Sequence, residues 1–299
     1  DSGSAYVYVR AGEEWSRQAK LTAGDGAIYD KFGCSVGLSG DTAVVGAYWD
    51  DDAGSASGSA FVFIRSNTVW SQQAKLTASD AAASDWFGCS VGVSGDTVVV
   101  GAYGDNNGKG TDAGCAYVFT RSNAVWSEQA KLTASDGASS DYFGISVGIS
   151  GDTALVGAYW HNPAGISDAG GAYVYARTGT NWTQQAKLTA SDAASYEYFG
   201  YSVGISGDTA VVGSYSDDNA NGTDAGSAYV YARTGTNWTQ QVKLLAADGA
   251  ATDYFGWSVG IFGDTVIVGA DNDDNAGGTD AGSAYVFTRS NTVWSQQAK

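Results

Sequence analysis

Carboxylates and their amide relatives crowd four short stretches of the chain: Asp50-Asp51-Asp52, Asp105-Asn106-Asn107, Asp217-Asp218-Asn219 and Asp271-Asn272-Asp273-Asp274-Asn275. A hard cation needs several oxygen donors converging from a turn. Asp50, Asp51, Asp52, Asp217, Asp218, Asp271, Asp273 and Asp274 are therefore the candidate metal ligands, and calcium is the cofactor they would take. The plainer alternative is that they are solvated turn residues, since Asp and Asn side chains bond readily to nearby backbone. Further acids stand in pairs, Asp80 and Asp85, Asp136 and Asp141, Asp192 and Glu197, Asp248 and Asp253. Two carboxylates suit glycoside hydrolysis, but a catalytic pair is needed once and these recur along the chain.

Other catalytic chemistry lacks its parts. His161 is the single His, so no repeated Ser, His and acid set exists. There is no phosphate-binding Gly loop opening a helix and no Cys or His cluster at metal spacing. The expectation is a protein that is not an enzyme. Cys34, Cys89 and Cys115 are odd in number and occupy places where other repeats carry unrelated residues, which argues against a disulfide framework. Asn181, Asn221 and Asn237 head Asn-x-Thr sequons and are candidate glycan-attachment sites. Six Trp recur in one place and read as packing residues, whereas Trp49, Trp86, Trp160 and Trp257 fall outside that pattern. Of these, Trp49 and Trp160 are the candidate ligand contacts for sugar stacking or protein docking.

The balance of 15 basic against 32 acidic residues gives a formal charge of −17, which repels nucleic acid and anionic lipid surfaces. No apolar run approaches the roughly 20 residues of a membrane-spanning helix, so no membrane insertion is expected of this segment. Neither an initiator Met nor a signal segment opens the chain, as expected of a mature or excised piece.

These residues are carried by a repeat. Phe-Gly recurs at Phe32, Phe87, Phe143, Phe199 and Phe255, in steps of 55, 56, 56 and 56. An Ala-aromatic-Val-aromatic run starts at Ala5, Ala60, Ala116, Ala172, Ala228 and Ala284, and the regular Trp falls at Trp15, Trp70, Trp126, Trp182, Trp238 and Trp294. Each unit reads as four strands, in the third repeat Phe143 to Ile149, Thr153 to Tyr159, Ala172 to Arg177 and Trp182 to Thr189. Ser150-Gly151-Asp152-Thr153 makes a compact hairpin turn between the first two. In the first strand the alternation puts Phe143, Ile145, Val147 and Ile149 on one face and Gly144, Ser146 and Gly148 on the other. The fold class is all-β, a β-propeller of four-stranded blades with five complete repeats and an extra half blade. As one array it divides into a half repeat at 1–24 and repeats at 25–79, 80–135, 136–191, 192–247 and 248–299. The connections from second to third strand and from blade to blade should share one acidic face. Arg10, Arg65, Arg121, Arg177, Arg233 and Arg289 should lie nearer the other, as a circle of solvated edge charges or as a docking ring.

Phe143-Gly144, the Ser146-Val147 strand and Val156-Gly157-Ala158 resemble the FG-GAP repeat of integrin α-subunit heads and many secreted proteins, and the resemblance spans the chain. Two departures stand out. The Pro that usually ends Gly-Ala-Pro is replaced by Tyr48, Tyr103, Tyr159, Tyr215 and Asp271, and the family's calcium loop between the first two strands is reduced to Ser-Gly-Asp-Thr. The resemblance implies an extracellular or cell-surface adhesion and scaffold module that presents loops to a protein or matrix partner. Self-assembly, head-to-tail or by blade completion, is a variant of that reading, because a third-and-fourth-strand pair occurs at both ends. A lectin-like, carbohydrate-binding propeller is the alternative.

Overall fold

The computed structural model describes residues 2–299. Alternating side chains, abundant Gly at the turns and β-branched centres give strands almost throughout, with one 3-10 turn at Pro163–Gly165. They form five four-stranded antiparallel meanders and one two-stranded hairpin. The hairpin is Ala5–Ala11 with Glu14–Leu21. Sheet 1 runs from Val36 to Leu76, sheet 2 from Val91 to Leu132, sheet 3 from Val147 to Leu188, sheet 4 from Ser202 to Leu244 and sheet 5 from Phe255 to Ala298. In sheet 3 the strands are Val147–Ser150, Thr153–Ala158, Gly171–Thr178 and Asn181–Leu188.

The first strand is shorter than its alternation predicts. Phe143 and Gly144 precede it in a turn, because Gly144 takes φ +96°, a backbone state closed to most side chains. This turn joins the repeats. The Phe143 amide donates to Ala113 O of the preceding loop at 3.1 Å, while the Gly144 amide donates to Gly157 O of its own second strand at 2.9 Å. A Cβ on Gly157 would stand 1.9 Å from Gly200 O of the next sheet, so this Gly is needed for the sheets to approach. The Phe-Gly and Gly-Ala pairs are thus two ends of one joint, and the ring of Phe143 is completely buried in it.

Consecutive sheets pack face to face along the chain, first strand against first strand. Each core is shared between two repeats. Val44, Val62 and Leu76 of sheet 1 meet Phe87, Val98, Tyr117 and Phe119 of sheet 2, and the same set recurs between each later pair. The hairpin covers sheet 1 through Leu21, Ala5 and Val7. The six regular Trp predicted to pack are half-buried where a neighbour exists: the Trp126 indole donates to Gln73 of the preceding sheet at 2.8 Å, and Trp182 to Gln129 at 2.9 Å. Trp15, on the hairpin, is 64% exposed.

The two outermost faces are not packed against each other. Ile267 of sheet 5 is 49% exposed, whereas Leu155 at the same place in sheet 3 is fully buried under sheet 4. At the other end Tyr6 and Tyr8 are exposed, and Val36 and Leu38 with them. The array is therefore open, and the structure holds five sheets and a hairpin in sequence without a closed ring.

Candidate functional site

The connections between second and third strands and those between sheets do share one face, and a lysine draws them together. In sheet 2, Lys131 Nζ donates to Asp80 of the incoming linker at 2.7 Å and to Asp105 of the sheet's own loop at 2.9 Å. The Tyr117 hydroxyl lies 2.7 and 2.6 Å from the same two carboxylates. Sheet 4 repeats this with Lys243, Asp192, Asp217 and Tyr229, and sheet 5 with Lys299, Asp248, Asp273 and Tyr285. In sheet 1, Lys75 holds Asp25, Asp50 and Asp52. Sheet 3 differs, because His161 takes the place of the loop acid. Lys187 Nζ lies 2.6 Å from His161 Nε2, and His161 Nδ1 lies 2.8 Å from Asp141 Oδ2, which makes the ring a neutral relay that accepts from Lys and donates to Asp.

These bonds move the carboxylates apart in acidity. Burial pushes Asp80 up, but the bonds from Lys131 and Tyr117 outweigh it and hold it below the ordinary value; Asp136 and Asp192 behave alike. A second acid goes the other way at Asp30, Asp85, Glu197 and Asp253. Burial raises Asp85 to about 6 and Glu197 to about 7, against the lowering effect of the Ala82 and Ala194 amides, and the nearby charges of Asp105 and Asp217 add to the rise.

The candidate metal ligands are distributed among these partners. Asp50, Asp217 and Asp273 are buried on lysines, and Asp52 pairs with Lys75. Asp51 accepts from the Ala56 amide, Asp218 from Asp224 and Asp274 from Asp280, each across its own loop. Asp271 is exposed. Among the described residues no three His, Cys, Asp or Glu converge as a cation would require. The Arg side chains stand at the hairpin-turn end of the strands, away from the acidic loops, and are paired there. Arg65, Arg121, Arg177, Arg233 and Arg289 each bond the turn aspartate of their own sheet, Asp41, Asp96, Asp152, Asp208 and Asp264, at 2.6 to 2.7 Å. Each guanidinium also lies over the regular Trp of its sheet, 5.1 to 5.5 Å from the ring centre. The short first turn brings the Asp beside the third-strand end, so the charge is neutralised where it arises.

A band of aromatic rings runs along the inner rim of the loop face. Trp86 packs on Tyr103 at 4.7 Å, Tyr103 on Tyr142 at 5.4 Å, and Tyr142 on Trp160 at 4.6 Å. Tyr159 then meets Tyr198 and Tyr201, Tyr201 meets Tyr215 and Trp257, and Tyr215 meets Tyr254. Desolvation raises the phenols of Tyr103, Tyr159 and Tyr215. The rings are half-buried, which leaves an apolar strip bordered by carboxylates. Of the two predicted ligand contacts, Trp160 is locked inside this strip, while Trp49 is 41% exposed beside it.

Asn181 and Asn237 lie exposed at equivalent hairpin turns; the Asn221 amide instead donates to Ala246 O at 2.9 Å. All three cysteines are free thiols, and the Cys115 thiol donates to Asp105 at 3.0 Å inside the lysine cluster. Neither the lysine clusters nor the tyrosine strip follows from the local sequence pattern. The signal for the first is Lys two residues after a Gln at a fixed place in the repeats, and for the second the same Tyr that replaces the motif's Pro.

The family profile described as FG-GAP repeat matches the chain five times, at residues 15–63, 70–119, 126–175, 182–231 and 238–287. Each match runs from the fourth strand of one sheet, or the end of the hairpin, through the third strand of the next, and so spans one shared core. A comparison with curated proteins returned no significant match.

Proposed function

Because the chain belongs to the FG-GAP repeat family, we propose that it is a protein-interaction module of β-propeller type that binds a partner through its loop face, outside the cell or at its surface. The single observation that carries this is the aromatic strip from Trp86 to Trp257. Half-exposed Tyr and Trp rings on a rigid sheet scaffold offer large contact area with little side-chain entropy to lose, which is the composition of binding hot spots. The lysine clusters beneath them fix the loops, so the surface is formed before a partner arrives. Its work is adhesion and scaffolding, with no bond made or broken. No helix among the described residues is long and apolar enough to cross a membrane.

The test is selection of a random-peptide phage library on the purified 299-residue chain, followed by binding of the selected peptides to variants. Peptides that lose at least tenfold in affinity for Tyr159→Ala or Tyr215→Ala support the reading. Peptides indifferent to both substitutions place binding elsewhere and overturn it. A soluble glycan array run in parallel addresses the carbohydrate alternative, for which Trp49 offers an open ring and Trp160 does not.

A second reading, self-association, is favoured by the end faces. Exposed Ile267 at one end and exposed Tyr6, Tyr8 and Trp15 at the other are the two halves of the interface that repeats between sheets. Sedimentation velocity over a hundredfold concentration range separates the cases. A ladder of species supports head-to-tail joining, and a single species of 30.7 kDa removes it.

A further inference from the structure

The residue after each Phe-Gly leads into the first strand, where consecutive sheets lie first strand against first strand. It is Cys34 in sheet 1, Cys89 in sheet 2, Ile145 in sheet 3, Tyr201 in sheet 4 and Trp257 in sheet 5. The main chains are close here. A Cβ on Gly92 would stand 3.6 Å from the Cα of Gly148, its counterpart in the next sheet, and one on Gly148 would stand 3.7 Å from the Cα of Gly204. Since a Cβ lies about 1.5 Å from its own Cα, these counterparts are about 5 Å apart at most, within the Cα spacing that a disulfide spans. Gly37 and Gly92 hold the same place in sheets 1 and 2, three residues after the two cysteines, and a Cβ on Gly37 would stand 3.5 Å from the Val93 amide nitrogen.

Side chains at the place of the cysteines meet across the junction. The Tyr201 and Trp257 rings are 4.9 Å apart, so sheets 4 and 5 are joined there by an aromatic contact. Sheets 1 and 2 carry two thiols instead. Cys34 Sγ lies 3.4 Å from Gly88 O, the carbonyl of the peptide bond that leads into Cys89, so the first sulfur already rests on the backbone of the second cysteine. Cys89 makes the same bond one sheet on, donating to Gly144 O at 3.4 Å. Both are free thiols, Cys34 exposed and Cys89 half-buried. Cys115 is turned into the lysine cluster, where its thiol is held by Asp105.

We propose that Cys34 and Cys89 are an oxidative modification site, at which a disulfide staples the start of the first strand of sheet 1 to that of sheet 2. The Cys34 thiolate attacks one sulfur of a small-molecule disulfide such as oxidised glutathione and releases one glutathione thiol. Cys89 then gives up its proton and attacks Cys34 Sγ, expelling the second glutathione as a thiolate that takes up a proton. Two protein thiols are oxidised and one small disulfide is reduced to two thiols. Burial holds the Cys89 thiol up, to about 12, so it resists solution oxidants and reacts with the sulfur brought next to it. Oxidants of this class belong to the extracellular setting. The bond does for sheets 1 and 2 what the ring pair does for sheets 4 and 5. It needs neither the aromatic strip nor a partner, and so stands or falls apart from the loop-face reading.

The experiment is incubation of the intact chain in glutathione redox buffers of graded ratio, native and in urea, followed by alkylation, intact mass measurement and tryptic mapping. Cleavage after Lys31, Arg65, Lys75, Lys109 and Arg121 puts the three cysteines in separate peptides, 32–65, 76–109 and 110–121. The native chain should yield one link, between 32–65 and 76–109, with Cys115 alkylated. It should form that link at a glutathione ratio at least tenfold more reducing than the urea-unfolded chain needs. The urea midpoint of the linked chain should rise, as expected of a bridge that closes a loop of about 55 residues, and return on reduction with dithiothreitol. Cys34→Ser should abolish the link and leave the melt of the reduced chain unchanged, because the side chain is exposed. A glutathione adduct that persists on Cys34 while Cys89 is still alkylated, a link to Cys115, links between molecules only, or no preference for the native over the unfolded chain overturns the proposal.

Discussion

Sheets 3 and 4 hold the same lysine in different ways, and the difference explains how the acidic face is kept in order. Lys243 bridges two carboxylates, Asp192 and Asp217, the second of them completely buried. Lys187 bridges Asp136 and the neutral ring of His161, which passes the contact on to buried Asp141. One junction therefore holds a buried acid beside another buried acid, Glu197, which burial raises and the charge of Asp217 raises further. The other separates the charges with an imidazole. The fold accepts either solution, because what it needs is a polar group that reaches the lysine and ties the loop to the linker.

Removing the lysine gives the largest expected contrast. Lys243→Met leaves Asp192 and Asp217 facing each other without their cation, and should cost about 3 kcal/mol, the scale of an orphaned buried charge reduced by partial exposure. Lys187→Met leaves one half-exposed carboxylate and a neutral ring, and should cost about 1 kcal/mol, the scale of a lost hydrogen bond. Urea melts of the two variants measure the difference, and equal losses would break the comparison.

How far this could be read in the sequence depends on the length scale. Strand number and the packing Trp are local or periodic, and Phe143, Val156 and Trp182 carry them openly. The lysine clusters join residues about 50 apart in sequence, as Lys131 and Asp80 do, and nothing in the local pattern around either residue says that they meet. The same holds for Arg177 and Asp152. Arg177 reads as an edge charge because its partner is 25 residues away and meets it only when the second strand pairs with the third. Asp217 looked like a metal ligand for the same reason: an oxygen-rich loop is visible in the sequence, and the ammonium that fills it is not.

Exchanging the solutions sharpens the contrast with a smaller effect. His161→Asp puts a carboxylate beside Asp141 and should lower stability at pH 7.5 by about 1 kcal/mol, the equivalent of one unit of carboxyl shift. At pH 5, where the new pair can hold a proton, the loss should shrink. Thermal melts at the two pH values check it, and a pH-independent loss would mean that the imidazole matters for shape and not for charge.

The acidity of the wild-type chain should show the same asymmetry. Glu197 and Asp85 have folded values of about 7 and about 6, above those of an unfolded chain. Their contribution to stability is therefore complete below the unfolded value and is lost as pH rises through about 6 and then about 7. The melting temperature should fall gently from pH 5 to pH 8, and Glu197→Gln, which cannot ionise, should flatten the upper part of that fall. A slope unchanged in Glu197→Gln would show that Glu197 is not the group that titrates.

The smallest expected effect is that of calcium, and here the lysine makes the prediction specific. To bind at Asp192 and Asp217, calcium must displace an ammonium already 2.7 to 2.8 Å from both carboxylates. It would gain oxygen ligands only by breaking bonds of similar kind. After chelation, millimolar calcium should therefore move the wild-type melting temperature by less than about 2 °C, below the shift of a 1 kcal/mol change in a chain of this size. In Lys243→Met the two carboxylates face an open position, so the same calcium should recover part of the lost stability, and Lys187→Met should respond less because it presents one carboxylate and a ring. A large stabilisation of the wild type would mean that the acidic loops hold the cation in preference to their lysines.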